Sequence, residues 1–464
     1  MKRAATLGLM ALVLAGCRDP ASPPGSPRVL RPAMHEVDPG PGATGPDLRS
    51  QNVKLLANVP RSADVTQSDL AFDGRFAYAG SYHGFRVLDI EDPEHPTVIA
   101  DVECHGAQSD VSVYANLVFQ SVDQPQSSGL CTSHDFTDGD DPATMFEGLR
   151  VFDASNPTAP VLIASVTTDC GSHTHTLVPD APNDRVLIYV SSYPRGASLF
   201  FPSCTEAHGY VSIIEVPLAD PSAAHLLTNY QLDPNTQATV LPGASAPFRA
   251  CHDITVFVEP GLAAAACMSE VQLWNIKDPA KPTLTWRSDH SAVDNADGDI
   301  WHSAAFSWDG KVVAFGDESG GGGEPRCTDP ADQHGRVWFF DVATGGIVAS
   351  YKIPRVEPGV CTVHNFNFIP LANGRKVLVS AAYTGGTTIV DVDRLLAGAT
   401  IAAAEIGFSR PSGALTWSSY WYNGFIYAND MLRGVDVMLL SDKARAGDRK
   451  LPAMNPQTQE RIIR

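Results

Sequence analysis

The sequence predicts an all-β chain closed into a seven-bladed β-propeller, and three observations carry that expectation. An apolar, alternating segment with a pattern like Gly-Phe-Arg-Val-Leu-Asp recurs seven times, at Phe85–Ile90, Leu149–Ala154, Tyr210–Val216, Val271–Ile276, Val337–Val342, Thr388–Val392 and Val435–Leu440. A strand-type pattern that returns every few tens of residues marks a repeat architecture. Each copy is flanked by short apolar runs divided by Gly- and Pro-marked turns, so one unit reads as four strands. Four-stranded units repeated radially are propeller blades. The composition agrees, since Gly 38 and Pro 35 in 464 residues suit a chain with many turns.

The chain opens on a targeting segment. Lys2 and Arg3 precede the short apolar run Leu7–Leu14, and residues 1–16 read as a signal peptide. Leu14-Ala15-Gly16-Cys17 resembles a bacterial lipobox. The resemblance implies cleavage before Cys17 and diacylation of its thiol. Arg18, not Asp, follows Cys17, which by the habit of that class directs the chain to the outer membrane, with its domain in the periplasm or on the surface. Residues 17–51 are rich in Pro, Gly and Ser and read as a flexible tether. No later segment is long and apolar enough to span a bilayer, so the membrane is expected to be met through the lipid only.

Residues 52–440 are expected to form the ring. The first blade runs through Leu70–Phe72, a turn at Asp73-Gly74, Phe76–Gly80, Phe85–Ile90, a turn at Asp92-Pro93, and Val98–Val102. Inner strands are expected to begin near Ser68, Ser109, His173, His252, His302, His364 and Leu415. Six outer strands follow their own blades, at 97–103, 161–166, 225–232, 283–287, 347–353 and 400–406. The last unit stops at Leu440 with three strands, and Val53–Val59 is expected to supply its fourth. Such a latch removes two open sheet edges. Residues 441–464 read as a polar C-terminal tail.

Val87-Leu88-Asp89-Ile90-Glu91-Asp92-Pro93 and Val151-Phe152-Asp153-Ala154-Ser155-Asn156-Pro157 resemble the LVIVD repeat of bacterial surface propellers, and Trp274-Asn275-Ile276-Lys277-Asp278-Pro279 is a looser copy. A more distant resemblance is to the selenium-binding protein and methanethiol oxidase propellers, which implies histidines in the channel.

Sorting the connections by strand direction puts short turns on the lower face. The long insertions Gln124–Glu147, Pro194–Gly209, Asp233–Ala250, Arg287–Ile300 and Ser319–Gly335 fall on the upper face. Long loops gathered on one side of a rigid scaffold point to binding. Beyond Cys17, eight cysteines remain, an even number that in an exported chain implies disulfides. All lie in upper loops or at upper strand ends, and the economical pairing is Cys104–Cys131, Cys170–Cys204, Cys251–Cys267 and Cys327–Cys361. The alternative is a thiolate metal site, but the sequence has no Cys-x-x-Cys.

His173, His252, His302 and His364 occupy one register position at the start of four successive inner strands, and His175 lies two residues further on the same side. Equivalent positions in a closed ring converge on its axis. These five histidines are therefore candidate ligands for a transition metal, Cu or Zn. Asp69, Asp110, Glu318 and Trp417 are expected at the same channel as ligand-binding groups. The net charge of -19, from 33 basic and 52 acidic residues, argues against nucleic acid and favours cationic ligands. No nucleophile elbow, Walker or dinucleotide fingerprint follows a strand.

Three functions remain open on the sequence. One is a cell-envelope lipoprotein that holds a metal ion or small polar ligand in its channel. The second is a metal-dependent oxidoreductase or hydrolase using the same histidines. The third is a protein-interaction scaffold, its partner unnamed, whose histidines are structural.

Overall fold

In the computed structural model the chain forms seven antiparallel sheets arranged as the blades of a propeller. It describes residues 41–463 apart from 63, 138, 195–203, 205–207, 240–246, 289–299, 320, 321, 323–325 and 330. The leader and Cys17 lie outside the described residues, as does much of four of the upper insertions.

The innermost strands are Gln67–Asp73, Val111–Tyr114, Thr174–Asp180, Ile254–Phe257, Trp301–Phe306, Phe366–Phe368 and Thr416–Tyr422, in blades 1 to 7. Each pairs with the next strand of its own blade, as chain order demands of hairpins. Blade 7 is closed by Val53–Val59, which pairs antiparallel with Gly434–Leu440 from Val53 opposite Leu440 to Val59 opposite Val435. The N-terminal latch read from the sequence is thus present.

Apolar residues alternate along the strands and fill the spaces between blades. Phe72 and Leu70 of blade 1, for example, pack with Tyr420, Tyr422 and Tyr427 of blade 7. Polar stitches run between neighbouring inner strands nearer the axis. Thr174 Oγ1 donates to the His252 carbonyl at 2.6 Å, Thr255 Oγ1 to Ala304 at 2.6 Å, and Ser303 Oγ to His364 at 2.8 Å. These bonds hold adjacent blades in register.

The recurring Gly-x-Arg pattern has a local cause. Gly84 and Gly148 adopt φ of 136° and 146°. A Cβ on either would stand 2.0 Å from the Val102 carbonyl oxygen or 2.2 Å from that of Val166. Only glycine permits that approach. The arginine two residues on is buried, Arg86 donating to the Pro60 carbonyl and to Gln67 Oε1 at 3.0 Å. Arg150 donates to the carbonyls of Gly129, Cys104, His105 and Leu130, and so fixes the insertion of blade 2.

Four disulfides join Cys104–Cys131, Cys170–Cys204, Cys251–Cys267 and Cys327–Cys361, the pairing drawn from strand order. The first three tie the start of a blade to its own upper insertion or strand end, and Cys327–Cys361 ties the insertion of blade 5 to the start of blade 6.

Three segments differ from expectation. The outer strand of blade 6 is Glu405–Arg410, not 400–406, because short helices at Val392–Leu396 and Ile401–Ala404 precede it. Asp391 and Thr400 cap these helices by accepting from Arg394 and Ala403. Leu48–Arg49, within the expected tether, adds a strand to the edge of blade 6. The tail after Leu440 packs across the lower face. Ala453–Met454 pairs with the inner strand of blade 1, and Thr458–Gln459 runs parallel to that of blade 4. Between them, Asn455 makes a paired contact with the Val113 backbone, donating to its carbonyl at 2.8 Å and accepting from its N–H at 2.7 Å. Gln459 does the same at Phe306, at 3.0 and 3.1 Å. The lower mouth of the channel is therefore closed by the chain itself.

Candidate metal centre in the channel

Backbone pairing sets the four histidines at one level. The His173, His252 and His364 N–H groups donate to Ser191, Ala266 and Ala381, each at the matching place on the second strand of its own blade, at 2.9, 2.7 and 3.0 Å. His302 sits at a bulge in blade 5, between Trp301 and Ser303. The imidazoles then form a continuous row. Ring centres are 4.5 Å apart for His173–His252, 3.8 Å for His252–His302 and 4.2 Å for His302–His364. All four are buried, none more than 3% exposed.

Carboxylates surround the row. Asp123 Oδ2 lies 2.7 Å from His173 Nδ1, and Asp253 Oδ1 lies 3.1 Å from His252 Nδ1. A carboxylate only accepts, so each Nδ1 carries the proton. The two Nε2 atoms are then acceptors, and they face each other at 2.9 Å. Two lone pairs at that distance need a proton or a metal cation between them. Histidine anchored by a carboxylate behind it is also the usual outer shell of a metal ligand.

At the other end of the row, Glu318 offers one oxygen to each of two imidazoles. Its Oε2 is 3.6 Å from His302 Nε2 and its Oε1 is 3.5 Å from His364 Nε2. His364 donates Nδ1–H to the Trp417 carbonyl at 2.6 Å. Its Nε2 makes no hydrogen bond among the described residues. Tyr383 donates its hydroxyl to Glu318. Burial pushes the Glu318 carboxyl up to about 7 and the His364 imidazolium down to about 3. The site therefore favours a neutral imidazole ready to bind a metal. Two overlapping sets have donor atoms close enough for one ion: His252, Asp253 and His302, and His302, Glu318 and His364.

The other expected site residues divide. Trp417 stacks edge-on against His364, with ring centres 4.5 Å apart. Asp69 and Asp110 lie in the same channel, lining a small cavity with His252, His302 and His364. His175 stands apart from the row. Ser112 and Ser121 engage its two ring nitrogens at 2.6 and 2.8 Å, and burial holds it neutral, down to about 3. It joins blades 2 and 3 and belongs to neither donor set.

The sequence reading missed Asp123, Asp253, Tyr193 and Tyr383. Asp253 had a signal, because Ser68-Asp69, Ser109-Asp110 and His252-Asp253 repeat one dipeptide at one register. So had the tyrosines, since Gly80-Ser81-Tyr82, Ser191-Ser192-Tyr193 and Ala381-Ala382-Tyr383 end three second strands alike. Tyr193 packs 5.1 Å from His173 and Tyr383 4.8 Å from His364. Asp123 had none, as its partner is 50 residues away.

LVIVD repeats match residues 66–103 and 143–168, the first blade and the latter half of the second. No curated protein matches the chain. Among solved structures, the WD40 β-propeller domain of Doa1 is similar with a TM-score of 0.50 at 13% identity, covering 85% of this chain and 99% of that one. The computationally designed Ika8 protein aligns with a TM-score of 0.46 at 11% identity, over 83% of this chain and 100% of that one. The likeness to the Doa1 domain is one of fold alone.

Proposed function

We propose that the protein is an envelope propeller that retains one transition-metal ion, Cu or Zn, in its histidine row. The observation that carries this reading is the pair of Nε2 acceptors on His173 and His252 at 2.9 Å, each fixed by a carboxylate on Nδ1. Two nitrogens bound to one metal at about 2.0 Å lie roughly 3 Å apart, which fits that separation. Beside that pair, His252, Asp253 and His302 form one donor set and His302, Glu318 and His364 an overlapping one. Imidazole with carboxylate suits Zn and Cu better than Mg or Ca.

Burial favours a held ion over hydrolysis, which needs a bound water and a path for substrate. An oxidoreductase is the second reading, supported by Tyr383 on Glu318 and Tyr193 beside His173, phenols in contact with the donor set. A scaffold with structural histidines is the third, and under it the facing His173 and His252 nitrogens share a proton in place of a metal. The Leu14–Cys17 segment supports anchoring of the ring by lipid, and the Pro-rich stretch after it supports a tether.

Elemental analysis of the full chain purified without added metal tests the reading. About one equivalent of Cu or Zn is expected, falling at least tenfold in His252→Ala and His364→Ala variants whose melting remains cooperative. Metal-free wild type, or metal retained in both variants, contradicts it.

A further inference from the structure

In the cavity that His252, His302 and His364 also line stands a pair of buried carboxylates that the metal reading does not use. Asp69 of blade 1 and Asp110 of blade 2 line one small cavity and are only 2% and 5% exposed, and burial pushes both carboxyls up, Asp110 further through the charge on Asp69. Two such carboxyl groups cannot both be ionised unless something positive lies between them. Neither has a Lys or Arg partner among the described residues. Asp69 accepts from the Tyr420 hydroxyl at 2.6 Å, from the Leu70 N–H at 2.9 Å and from Gln457 Nε2 at 3.2 Å. Asp110 accepts from the His175 N–H at 2.8 Å, and the His175 ring nitrogen nearest it is 3.3 Å away. These are dipoles, and none supplies a full charge.

Two further buried oxygens belong to residues that line the same space. Asn365 and Ser68 line the cavity that Asp69, Asp110 and Asp253 line, and they are 6% and 1% exposed. Asn365 Oδ1 and Ser68 Oγ have no hydrogen-bond partner among the described residues. A buried polar atom without a partner costs about 1–3 kcal/mol, and here two such atoms border an acid pair. The cavity has room for about one water or one bare ion. Gln457, from the tail, forms its floor.

We propose that a calcium-type divalent cation binds in this cavity, between Asp69 and Asp110 and within reach of Asp253, Asn365 and Ser68. Carboxylate, amide and hydroxyl oxygens are the donors that hard cations take, and these five residues offer oxygen, while His252, His302 and His364 line the same cavity. The cation offsets the like charges of the buried acid pair. It neutralises a buried carboxylate pair that has no Lys or Arg partner among the described residues. The channel would then carry two ions of different character.

Calcium titration of the full, disulfide-intact chain after chelation tests this by calorimetry. One equivalent is expected to bind wild type, and equally the His252→Ala and His364→Ala variants. Affinity is expected to fall at least tenfold in Asp69→Asn and Asp110→Asn. Both amides are isosteric, and melting of the calcium-free variants at or above the wild-type temperature shows that the fold is kept. Should either fail to fold, Asn365→Ala is read in its place, with the same tenfold loss expected. No calcium binding by wild type, or unchanged affinity in the folded acid-pair or Asn365 variants, overturns the proposal. So does calcium lost from the histidine variants alone. The transition-metal reading fails on different proteins and a different ion, so the two outcomes stay separate.

Discussion

Asn455→Ala is the sharpest test of how the ring is closed from below. In the native fold the inner strand of blade 2 is only Val111–Tyr114, and Val113 has no strand beside it on the axis side. The Asn455 amide stands in for that strand, with two bonds at 2.7 and 2.8 Å to the N–H and carbonyl of one residue. Val113 is 1% exposed and Asn455 8% exposed, so water does not reach these groups freely. Truncation removes both bonds and leaves a buried donor and a buried acceptor unpaired. At about 1–1.5 kcal/mol for each, the loss is about 2–3 kcal/mol. The assay is equilibrium denaturation in urea, read by tryptophan fluorescence, with exposed Lys450→Ala as a control expected within about 0.5 kcal/mol of wild type. An Asn455→Ala protein as stable as that control would refute the claim that the tail is part of the ring.

Three further outcomes follow from other parts of the fold. Cys327→Ser with Cys361→Ser opens a 34-residue loop, and by chain entropy should cost about 3–4 kcal/mol, seen as a lower melting temperature under non-reducing conditions; an unchanged one counts against the bridge. Gly84→Ala places a Cβ 2.0 Å from the Val102 carbonyl oxygen at φ 136°, and should destabilise by more than about 3 kcal/mol or prevent folding; soluble protein with wild-type melting would contradict the geometry. His208 is held neutral, down to about 4, mainly by burial. The unfolded chain takes that proton first, near pH 6.5, so stability falls as pH drops from there towards about 4, by up to about 1.4 kcal/mol per pH unit from this group. Denaturation at stepped pH should show a shallower acid loss in His208→Gln, and an identical slope would refute the assignment.

The ring was legible in the sequence because a blade is a local object. Its strands are neighbours in the chain, and turns such as Asp73-Gly74 and Asp309-Gly310 announce themselves. The closing strand could be found by counting, since three strands at one end imply a fourth elsewhere. The disulfides followed from the same count of strand directions. The histidine row was legible because equivalent positions in a closed ring must meet. What stayed hidden depends on contacts without a period. Asn455 and Gln459 replace strands with single side chains, and nothing in Pro452–Glu460 marks them. His175 shares the parity of His173, yet Ser112 and Ser121 of the next blade take both its nitrogens. Asp123 reaches His173 from the second strand of another blade. Those pairings exist only once the blades are set side by side.

The central claim is that imidazoles from separate blades share one ion on the axis. X-ray absorption at the edge of the metal retained by the full chain reads its ligands directly. Nitrogen ligands at about 2.0 Å, with the more distant scattering of at least three imidazole rings, are expected. A first shell of sulfur, or of oxygen without imidazole scattering, would contradict it.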